Sequence, residues 1–435
     1  MLQSGRIVVG PDGGIEAMAP TIINQVAEMQ GLYGPFTLTE RVVQKIWLRG
    51  DFASGRALLA DGRTLGIRST GAWNLLGGPD FRGARLVIDG RETTGDIEVH
   101  FHAADWRAHG HAGDRAYDRV VLHVVLFPPR PGEGPATDGR GRELPTLVLL
   151  PLLHRDLEEY ASDDALEVIT ARDAWEQFAE LAATPPEELD ALLLAHAQHR
   201  WRQKVRYASV RIGKLGWVAA AHHTALEILG YRQNRAAMLL VAAQYPLELW
   251  GEGAEPALVF ELGRGCWQLQ GVRPANHPRT RLRQYQHWVT GVPDWPDRLQ
   301  QVFTWIRRDS AAAGPWSAAG SPRLQDSAMP TKSFRRSLGL GPLRATLARD
   351  LLGGAVGGCR LDNLVCDGFL PLVAAQAGND LFVAWYHWFL GDVPAVVRKA
   401  LPRLGLAGTR DRPFCHGRAQ GLLGWMLERE AGASR

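Results

Sequence analysis

The chain has little of what marks a disulfide-bonded, zinc-ribbon or membrane protein. Its 435 residues include only four cysteines, Cys266, Cys359, Cys366 and Cys415, and no two of them form a CxxC pair. This spacing disfavours both a zinc ribbon and a disulfide framework. No run approaches the roughly 20 apolar residues of a membrane span, and the amino terminus does not have the pattern of a signal peptide. We expect a soluble, cytoplasmic protein.

Nucleotide-binding and serine-hydrolase signatures are also missing. The glycines of residues 10–14 and 353–358 do not have the spacing, preceding strand and lysine of a phosphate-binding loop. No Gly-x-Ser-x-Gly elbow is present. The net charge of +3 is small, so any polyanionic partner must be met by local patches and not by the whole surface.

What is present indicates a globular α+β protein with an ordinary balance of 46% hydrophobic and 22% charged residues. Residues 1–36 are rich in Gly and Pro and are predicted to be irregular. Residues 37–156 are expected to form an α/β domain, and residues 157–435 a mainly helical one, because helical periodicity dominates there. Residues 309–332 are dominated by Ala, Ser, Gly and Pro, which predicts a mobile loop. Packing explains the 15 tryptophans better than base stacking does.

The α/β segment opens with a helix and continues with strands. Thr37 and Glu40 have the spacing of a capping box, which would place Glu40 in the first helical turn. The dipeptide Asp89-Gly90 predicts a tight turn that pairs residues 84–88 with the following run. Residues 120–127 are apolar except for His123, as in a strand buried on both faces with one polar group inside.

Two carboxylates mark this hairpin, Asp80 at the start of one strand and Glu98 on the next. The second strand alternates with period two, so Asp96, Glu98, His100 and His102 would share one face. A solvated sheet face also alternates in this way. Two histidines beside two acids, however, favour a face that holds hard metal ligands.

The same residues resemble the PD-(D/E)XK nuclease superfamily. Gly78-Pro79-Asp80-Phe81, followed by the acid Glu98 on the next strand, is similar to that motif. The resemblance covers about a third of the chain and implies a PD-(D/E)XK-like α/β core of helix, antiparallel meander, helix and strand, followed by the helical domain. It also implies an acidic residue on the first helix, where Glu40 stands.

A longer pattern is similar to an uncharacterised bacterial family known as domain of unknown function number 2851. It includes the two motifs above, Asp105-Trp106, His109-Gly110-His111, Tyr117-Asp118 and residues 122–125, and it extends to Arg273-Pro274-Ala275-Asn276. This resemblance identifies a family and implies no activity.

One departure from the nuclease motif is His100, which stands where that superfamily has lysine. Histidine is charged only part of the time near neutral pH, but imidazole can ligate a metal. The resemblance implies Mg²⁺ or Mn²⁺, with Asp80, Glu98 and His100 as metal ligands and Glu40 as a further catalytic acid that could bind a second ion. His100 would complete the metal shell or act as a general base. His102 and His123 are secondary candidates.

A cluster of acids and histidines follows the second strand of the hairpin. It has metal-ligand character, but its spacing matches no zinc pattern, and helix capping with mutual pairing is the favoured interpretation. We therefore expect no separate metal there and keep only His111 as a secondary candidate. Its members are Asp105, His109, His111, Asp114 and Asp118.

Basic residues of the helical half are candidates for binding a nucleic-acid backbone. Two groups stand out, a loop that enters a helix and an aromatic-bearing helix, and Arg335-Arg336 lies beyond the predicted mobile loop. Each is also compatible with a solvated helix face or an internal ion pair. The residues are Arg273, Arg279, Arg281, Arg202 and Lys204.

The leading hypothesis is a metal-dependent nuclease that hydrolyses phosphodiester bonds in DNA or RNA. The alternative is a catalytically inactive protein that keeps the nuclease fold and binds nucleic acid or protein. A third hypothesis is a metal-dependent hydrolase of a smaller phosphate ester. Binding of a divalent ion between Asp80 and Glu98 would distinguish the two enzyme hypotheses from the hypothesis of an inactive binding protein.

Overall fold

The computed structural model describes residues 38–74, 77–130, 132–155, 157–171, 178–263, 265–302, 331–378 and 380–433. The described residues divide into two compact units, one ending at Asp164 and the other running from Ala165 to Ala433. Within these ranges no helix combines the length and apolarity needed to cross a bilayer. The predicted irregular segment 1–36 lies outside the described residues.

The first unit consists of one mixed β-sheet with helices. Its sheet order is β1-β3-β4-β5-β6, with the short β2 also paired to β3. The elements are α1 (Glu40–Arg49), β1 (Leu65–Ser69), β2 (Ala72–Trp73), β3 (Phe81–Ile88), β4 (Arg91–His100), α2 (Asp105–Ala108), β5 (Val120–Val125), β6 (Thr146–Val148) and α3 (Leu157–Ala171).

Helix α1 begins differently from the capping-box prediction. Its N-cap is Thr39, whose side chain makes no capping hydrogen bond, and Glu40 is the first helical residue. Glu40 is therefore too close to the cap for the reciprocal bond of a capping box, which needs the acid three residues further on. Its expected place in the first turn is confirmed.

The predicted hairpin is present, with the strands joined at Asp89-Gly90. Both turn residues have positive φ, 46° and 79°, as in the turns that match the right-handed twist of paired strands. Ile88 pairs with Arg91 next to the turn, and Phe81 pairs with Ile97 at the other end. This register places Asp80, just before β3, beside Glu98.

β5 and β6 are parallel to β4, so the sheet is mixed and not a simple meander. The connection from β4 to β5 contains α2 and two short 3-10 helices. Gly95 permits this pairing, because a Cβ there would stand 2.6 Å from the carbonyl oxygen of Arg119. β5 is buried at five of its six residues, including His123, as its apolar sequence predicts.

The second unit is helical, as predicted. It begins at Ala165, within α3. The domain boundary expected after residue 156 lies earlier, at the start of that helix. Its helices are α4 (Ala179–Ala183), α5 (Pro186–Leu215), α6 (Trp217–Leu229), α7 (Arg235–Gln244), α8 (Leu247–Gly251), α9 (Pro256–Leu262), α10 (Pro278–Gly291), α11 (Trp295–Val302), α12 (Thr331–Ser337), α13 (Leu340–Thr346), α14 (Gly358–Asn363), α15 (Leu370–Ala377), α16 (Phe382–His387), α17 (Ala395–Arg403) and α18 (His416–Ala433), with π-helical turns at Leu347–Leu351 and Leu364–Phe369.

Aromatic packing dominates the core of this unit. Trp250, Trp288, Trp295, Trp385 and Trp388 are completely buried, which supports the packing interpretation of the tryptophans. Of the loop predicted at 309–332, residues 309–330 lie outside the described ranges. The last two residues were assigned wrongly, because α12 begins at 331 and both belong to it.

Candidate metal centre

Asp80 and Glu98 lie side by side and are tied together through the backbone. The N–H of Asp80 donates to Oε2 of Glu98 over 3.0 Å. In return, the N–H of Val99 donates to Oδ2 of Asp80, also over 3.0 Å. Each carboxylate therefore has one oxygen held by a backbone N–H of the hairpin, which orients both groups.

Helix α1 contributes to the same place. Gln44 donates from Nε2 to Oδ1 of Asp80 over 2.8 Å. Glu40 lies one turn earlier on α1, so it shares a face with Gln44. Burial is the main cause of the raised pKa values of Asp80 and Glu98, and the charge of Glu40 makes a smaller contribution in the same direction.

His100, at the end of β4, stands at the centre of a group of imidazoles. Its Nδ1 shares a hydrogen bond of 2.9 Å with Nε2 of His123 on β5. On its other side, Nε2 lies 3.1 Å from Nδ1 of His109 and 3.5 Å from Oε1 of Glu98. His123 therefore contacts the group through His100, and the sequence-based expectation that it faces the same pocket agrees with this geometry.

His109 and His111 reach the group from the connection between β4 and β5. His109 caps the carboxyl end of α2, and Gly110, with φ of 75°, turns the chain so that His111 follows in a 3-10 helix. Nε2 of His111 lies 3.3 Å from Oε1 of Glu98. One ring nitrogen from each of His100, His109 and His111 lies within 4.8 Å of the other two.

Aromatic side chains fix this connection. Trp106 is completely buried and donates from Nε1 to the carbonyl of Thr137 over 2.9 Å. Its ring lies edge-on to that of His111, with centroids 5.3 Å apart. The ring of Tyr117 stacks on the same imidazole, with its centroid 3.9 Å from that of His111. His111 thus packs against two aromatic rings, which also contact each other.

Burial shifts the pKa values of the carboxyl groups upward, which favours their neutral, protonated forms. Burial, and then the charge of Asp80, raises the pKa of Glu98 to about 9. Burial also raises the pKa of Asp80 to about 6, against the hydrogen bonds from Val99 and Gln44. The pKa of Glu40 is raised by burial as well, although His109 opposes the shift.

The histidines shift in the opposite direction for the same physical reason. Burial, followed by repulsion from His123, His111 and His109, holds the pKa of His100 far below its usual value. Burial lowers the pKa of His123 to about 4. These imidazoles are neutral at physiological pH, so each has a lone pair that can bind a metal ion.

Two members of the predicted polar face of β4 do not join the group. His102 lies beyond the end of β4 and stacks on Phe127, with ring centroids 5.0 Å apart. It was wrongly expected to face the pocket, because the strand alternation ends at His100. Asp96 accepts the N–H of Gly83 over 2.9 Å and so completes the hairpin instead.

The predicted capping role is observed for one acid of the connection. Asp114 caps a 3-10 helix by accepting the N–H of Ala116, whereas Asp105 is the first residue of α2 and accepts the N–H of His102. His109 was not among the predicted site residues, and His111 was only a secondary one. The His109-Gly110-His111 spacing was the available signal, since a glycine between two histidines allows both to turn toward one point.

The basic residues proposed to bind nucleic acid have different surroundings. Arg202 and Arg273 are exposed, and Arg279 is exposed while pairing with Glu261 at 2.7 Å. Lys204 forms an ion pair with Asp367 at 3.0 Å. Arg281 is buried and donates to Asn276 and Gln284, so its expected role on the surface is wrong.

Arg335 also has a structural role. Its guanidinium donates to the main-chain carbonyls of His387, Trp388 and Phe414. These bonds connect three segments of the helical unit. The expectation that Arg335 lines a surface for a polynucleotide is therefore not supported.

Comparison with known proteins gives one match. No curated protein and no solved structure matches the chain. A protein-family model described as "Protein of unknown function (DUF2851)" matches residues 40–261, about half of the chain. The matched range begins at Glu40 and includes the carboxylates and histidines of the candidate centre. The chain belongs to this family of proteins of unknown function.

Proposed function

We propose that the protein is a metal-dependent hydrolase that cuts phosphodiester bonds in nucleic acid. The observation that carries this proposal is the paired placement of Asp80 and Glu98 on adjacent strands, with neutral imidazoles beside them. The order of α1, the antiparallel strands, α2 and the parallel β5 also supports a PD-(D/E)XK-like core.

The residues present fit a divalent ion. In each acid one oxygen accepts a backbone N–H, while the other oxygen contacts a side chain, Gln44 for Asp80 and His100 for Glu98, that could give way to or share an ion. Such an ion would neutralise charge on a phosphate and make a water molecule a better nucleophile. Burial is the main cause of the raised pKa values of both acids, and the charge of Asp80 adds to the shift of Glu98; a bound cation would oppose both effects.

His100 would act as a ligand and not as a proton acceptor. One of its nitrogens already contacts His123, and the other faces His109 and Glu98. Its strongly lowered pKa also makes it a weak base. The positive charge of the usual motif lysine is therefore absent at this position.

Proton transfer falls to a carboxylate. Glu40 has a raised pKa and is only partly buried, so its carboxylate can both hold a proton and meet solvent. We assign to Glu40 the role of accepting a proton from the attacking water. Of the residues predicted to bind a phosphate backbone, Arg202, Arg273 and Arg279 are exposed, and Arg279 also pairs with Glu261.

The test is digestion of single- and double-stranded DNA and RNA with Mg²⁺, Mn²⁺ or Zn²⁺. Wild-type protein should cut at least one substrate, and Glu98→Gln should lower the rate by more than about 100-fold, the upper end of the cost of losing an outer-shell partner. His102→Gln is the matched control, because that imidazole lies outside the group, and should leave the rate unchanged.

Two results would overturn the proposal. If wild-type protein cuts none of these substrates but retards them in gel-shift assays, the inactive binding protein is the correct alternative. If Glu98→Gln cuts as fast as wild type, the activity comes from another site. Hydrolysis of a small phosphate ester without any cutting of polynucleotides would instead establish the third hypothesis.

A further inference from the structure

Three imidazole nitrogens and one carboxylate oxygen of the candidate centre lie close together. They are Nε2 of His100, Nδ1 of His109, Nε2 of His111 and Oε1 of Glu98. One ring nitrogen from each histidine lies within 4.8 Å of the other two. His109 is 3.1 Å from His100, and Oε1 of Glu98 is 3.5 Å from His100 and 3.3 Å from His111. In a tetrahedral zinc site with bonds of 2.0–2.1 Å, neighbouring ligand atoms are about 3.3 Å apart.

The contact between His111 and Glu98 is close but is not a hydrogen bond. Nε2 of His111 is buried and has no hydrogen-bond partner among the described residues, although Oε1 of Glu98 is only 3.3 Å away. A buried polar atom without a hydrogen bond is costly and uncommon. Donor atoms in this arrangement can be satisfied together by one cation between them.

The outer contacts of the group are those of a metal site. His123 bonds the far nitrogen of His100 over 2.9 Å and so orients the ring. The N–H of Asp80 holds the far oxygen of Glu98. Metal-ligating imidazoles and carboxylates are usually oriented in this way by a second partner.

The site has an entry path, which a metal centre requires. His109 is exposed, whereas the side chains of His100 and Glu98 retain only 2% and 7% of their accessible surface. An ion can therefore arrive at His109 and be held by the buried donors. The exposed position of His109 also means that replacing it removes a donor without opening a cavity in the core.

We propose that His100, His109, His111 and Glu98 form a four-donor site for a transition-metal ion of the zinc class. Three imidazoles and one carboxylate suit Zn²⁺ and similar ions, whereas Mg²⁺ prefers six oxygen ligands. The inference goes beyond the proposed hydrolysis, because the ion would bind whether or not the chain cuts nucleic acid.

The decisive experiment measures Zn²⁺ binding to the full chain by competition with a chromophoric chelator. Wild type should bind about one equivalent, and Co²⁺ in its place should give the intense visible absorption of a four-coordinate ion. His109→Ala and His111→Ala should each weaken Zn²⁺ binding by more than about 100-fold, beyond the cost of losing an outer-shell contact. His102→Ala, a nearby histidine outside the group, should bind as wild type does.

Circular dichroism and thermal melting of each variant separate loss of a ligand from loss of the fold. The proposal is overturned if folded His109→Ala and His111→Ala bind Zn²⁺ as tightly as wild type, or if the Co²⁺ spectrum is that of a weakly absorbing six-coordinate ion. Wild type that fails to bind Zn²⁺ would overturn it equally. The imidazoles would then form only a hydrogen-bonded chain.

Different results would reject the proposed hydrolysis and the proposed metal site. Tight Zn²⁺ binding by a wild-type chain that cuts no nucleic acid would retain the metal site and reject the hydrolysis. Cutting with Mg²⁺ that persists in a His109→Ala, His111→Ala double variant, without Zn²⁺ binding by wild type, would do the opposite.

Discussion

His123 on β5 bonds His100 on β4 through Nε2 and Nδ1, 2.9 Å apart, and so sets which nitrogen of His100 faces the other donors. The two residues come from neighbouring parallel strands, with Glu98 opposite His123 in the register. β5, which is otherwise apolar, thus provides one polar contact from the sheet interior to the candidate metal centre.

Replacing His123 should weaken metal binding without removing a ligand. His123→Leu leaves the four donors in place but frees the ring of His100, and we expect a 10- to 100-fold loss of Zn²⁺ affinity. Chelator competition at pH 7.5 measures the change. An affinity equal to that of wild type would show that His123 does not orient His100.

Gly95 should be intolerant of a side chain. A Cβ there would stand 2.6 Å from the carbonyl oxygen of Arg119 and 2.3 Å from Cγ1 of Val121, so β4 and β5 must separate. We expect Gly95→Ala to lower the free energy of unfolding by about 1–3 kcal/mol or more, as overpacking does. Urea denaturation measures this loss. Gly55→Ala is the control, since nothing lies within 4 Å of its added carbon, and an equal loss in both variants would refute the steric explanation.

The buried histidines of the helical unit should make the protein sensitive to acid. Burial lowers the pKa of His222 to about 4 and those of His223 and His387 to about 3. The unfolded chain takes up protons at a higher pH than the folded one. These histidines therefore make their full contribution to the free energy of unfolding above pH 6.5. That contribution then falls as the pH drops toward each folded value.

His222 allows this dependence to be measured. Its shift corresponds to about 3 kcal/mol lost between pH 6.5 and pH 4. In His222→Gln the decrease in unfolding free energy over that interval should be smaller than in wild type, even if the variant is less stable at pH 8. His287, which is exposed, provides the control His287→Gln. Parallel pH profiles of wild type and His222→Gln would contradict the prediction.

The ion pair between Arg211 and Glu227 should be costly to break from one side. The two side chains keep 1% and 2% of their accessible surface, and their charged atoms lie 2.8 Å apart. Glu227→Leu leaves a buried guanidinium without this carboxylate, and we expect a loss of about 3–5 kcal/mol. Asp294→Ala, at the exposed pair with Arg298, should cost less than about 1 kcal/mol.

Chemical denaturation of the two variants and of the double variant Arg211→Met, Glu227→Leu tests this reasoning. The double variant should be more stable than Glu227→Leu alone, because it also removes the buried guanidinium that has lost this carboxylate. If the single and double variants are equally unstable, packing around Glu227 matters more than its charge.

Local sequence was sufficient where neighbouring residues determine the geometry. The turn at Asp89-Gly90 sets the register of the hairpin as far as Ala84, and an irregularity between Phe81 and Ala84 then shifts it so that Asp80 reaches Glu98. The apolar run around His123 predicts a buried strand, because only a fully covered strand can dispense with alternating polar residues.

Local sequence was insufficient where the chain leaves regular structure. Alternation along β4 wrongly assigned His102 to the site, because the strand ends at His100. The loop residues His109 and His111 have no period, so only the path of the connection could show that they turn toward His100. The charge of Arg281 indicated a surface role, whereas packing in the helical unit buries it.

The amino-acid sequence alone determined the hairpin, the paired carboxylates and the buried strand, because turn propensity and hydrophobic alternation act between residues close along the chain. Only the tertiary structure decided that three imidazoles come together, with Oε1 of Glu98 beside two of them. That convergence depends on the parallel crossover from β4 to β5 and on Trp106 anchoring its connection, and contacts between distant residues determine both.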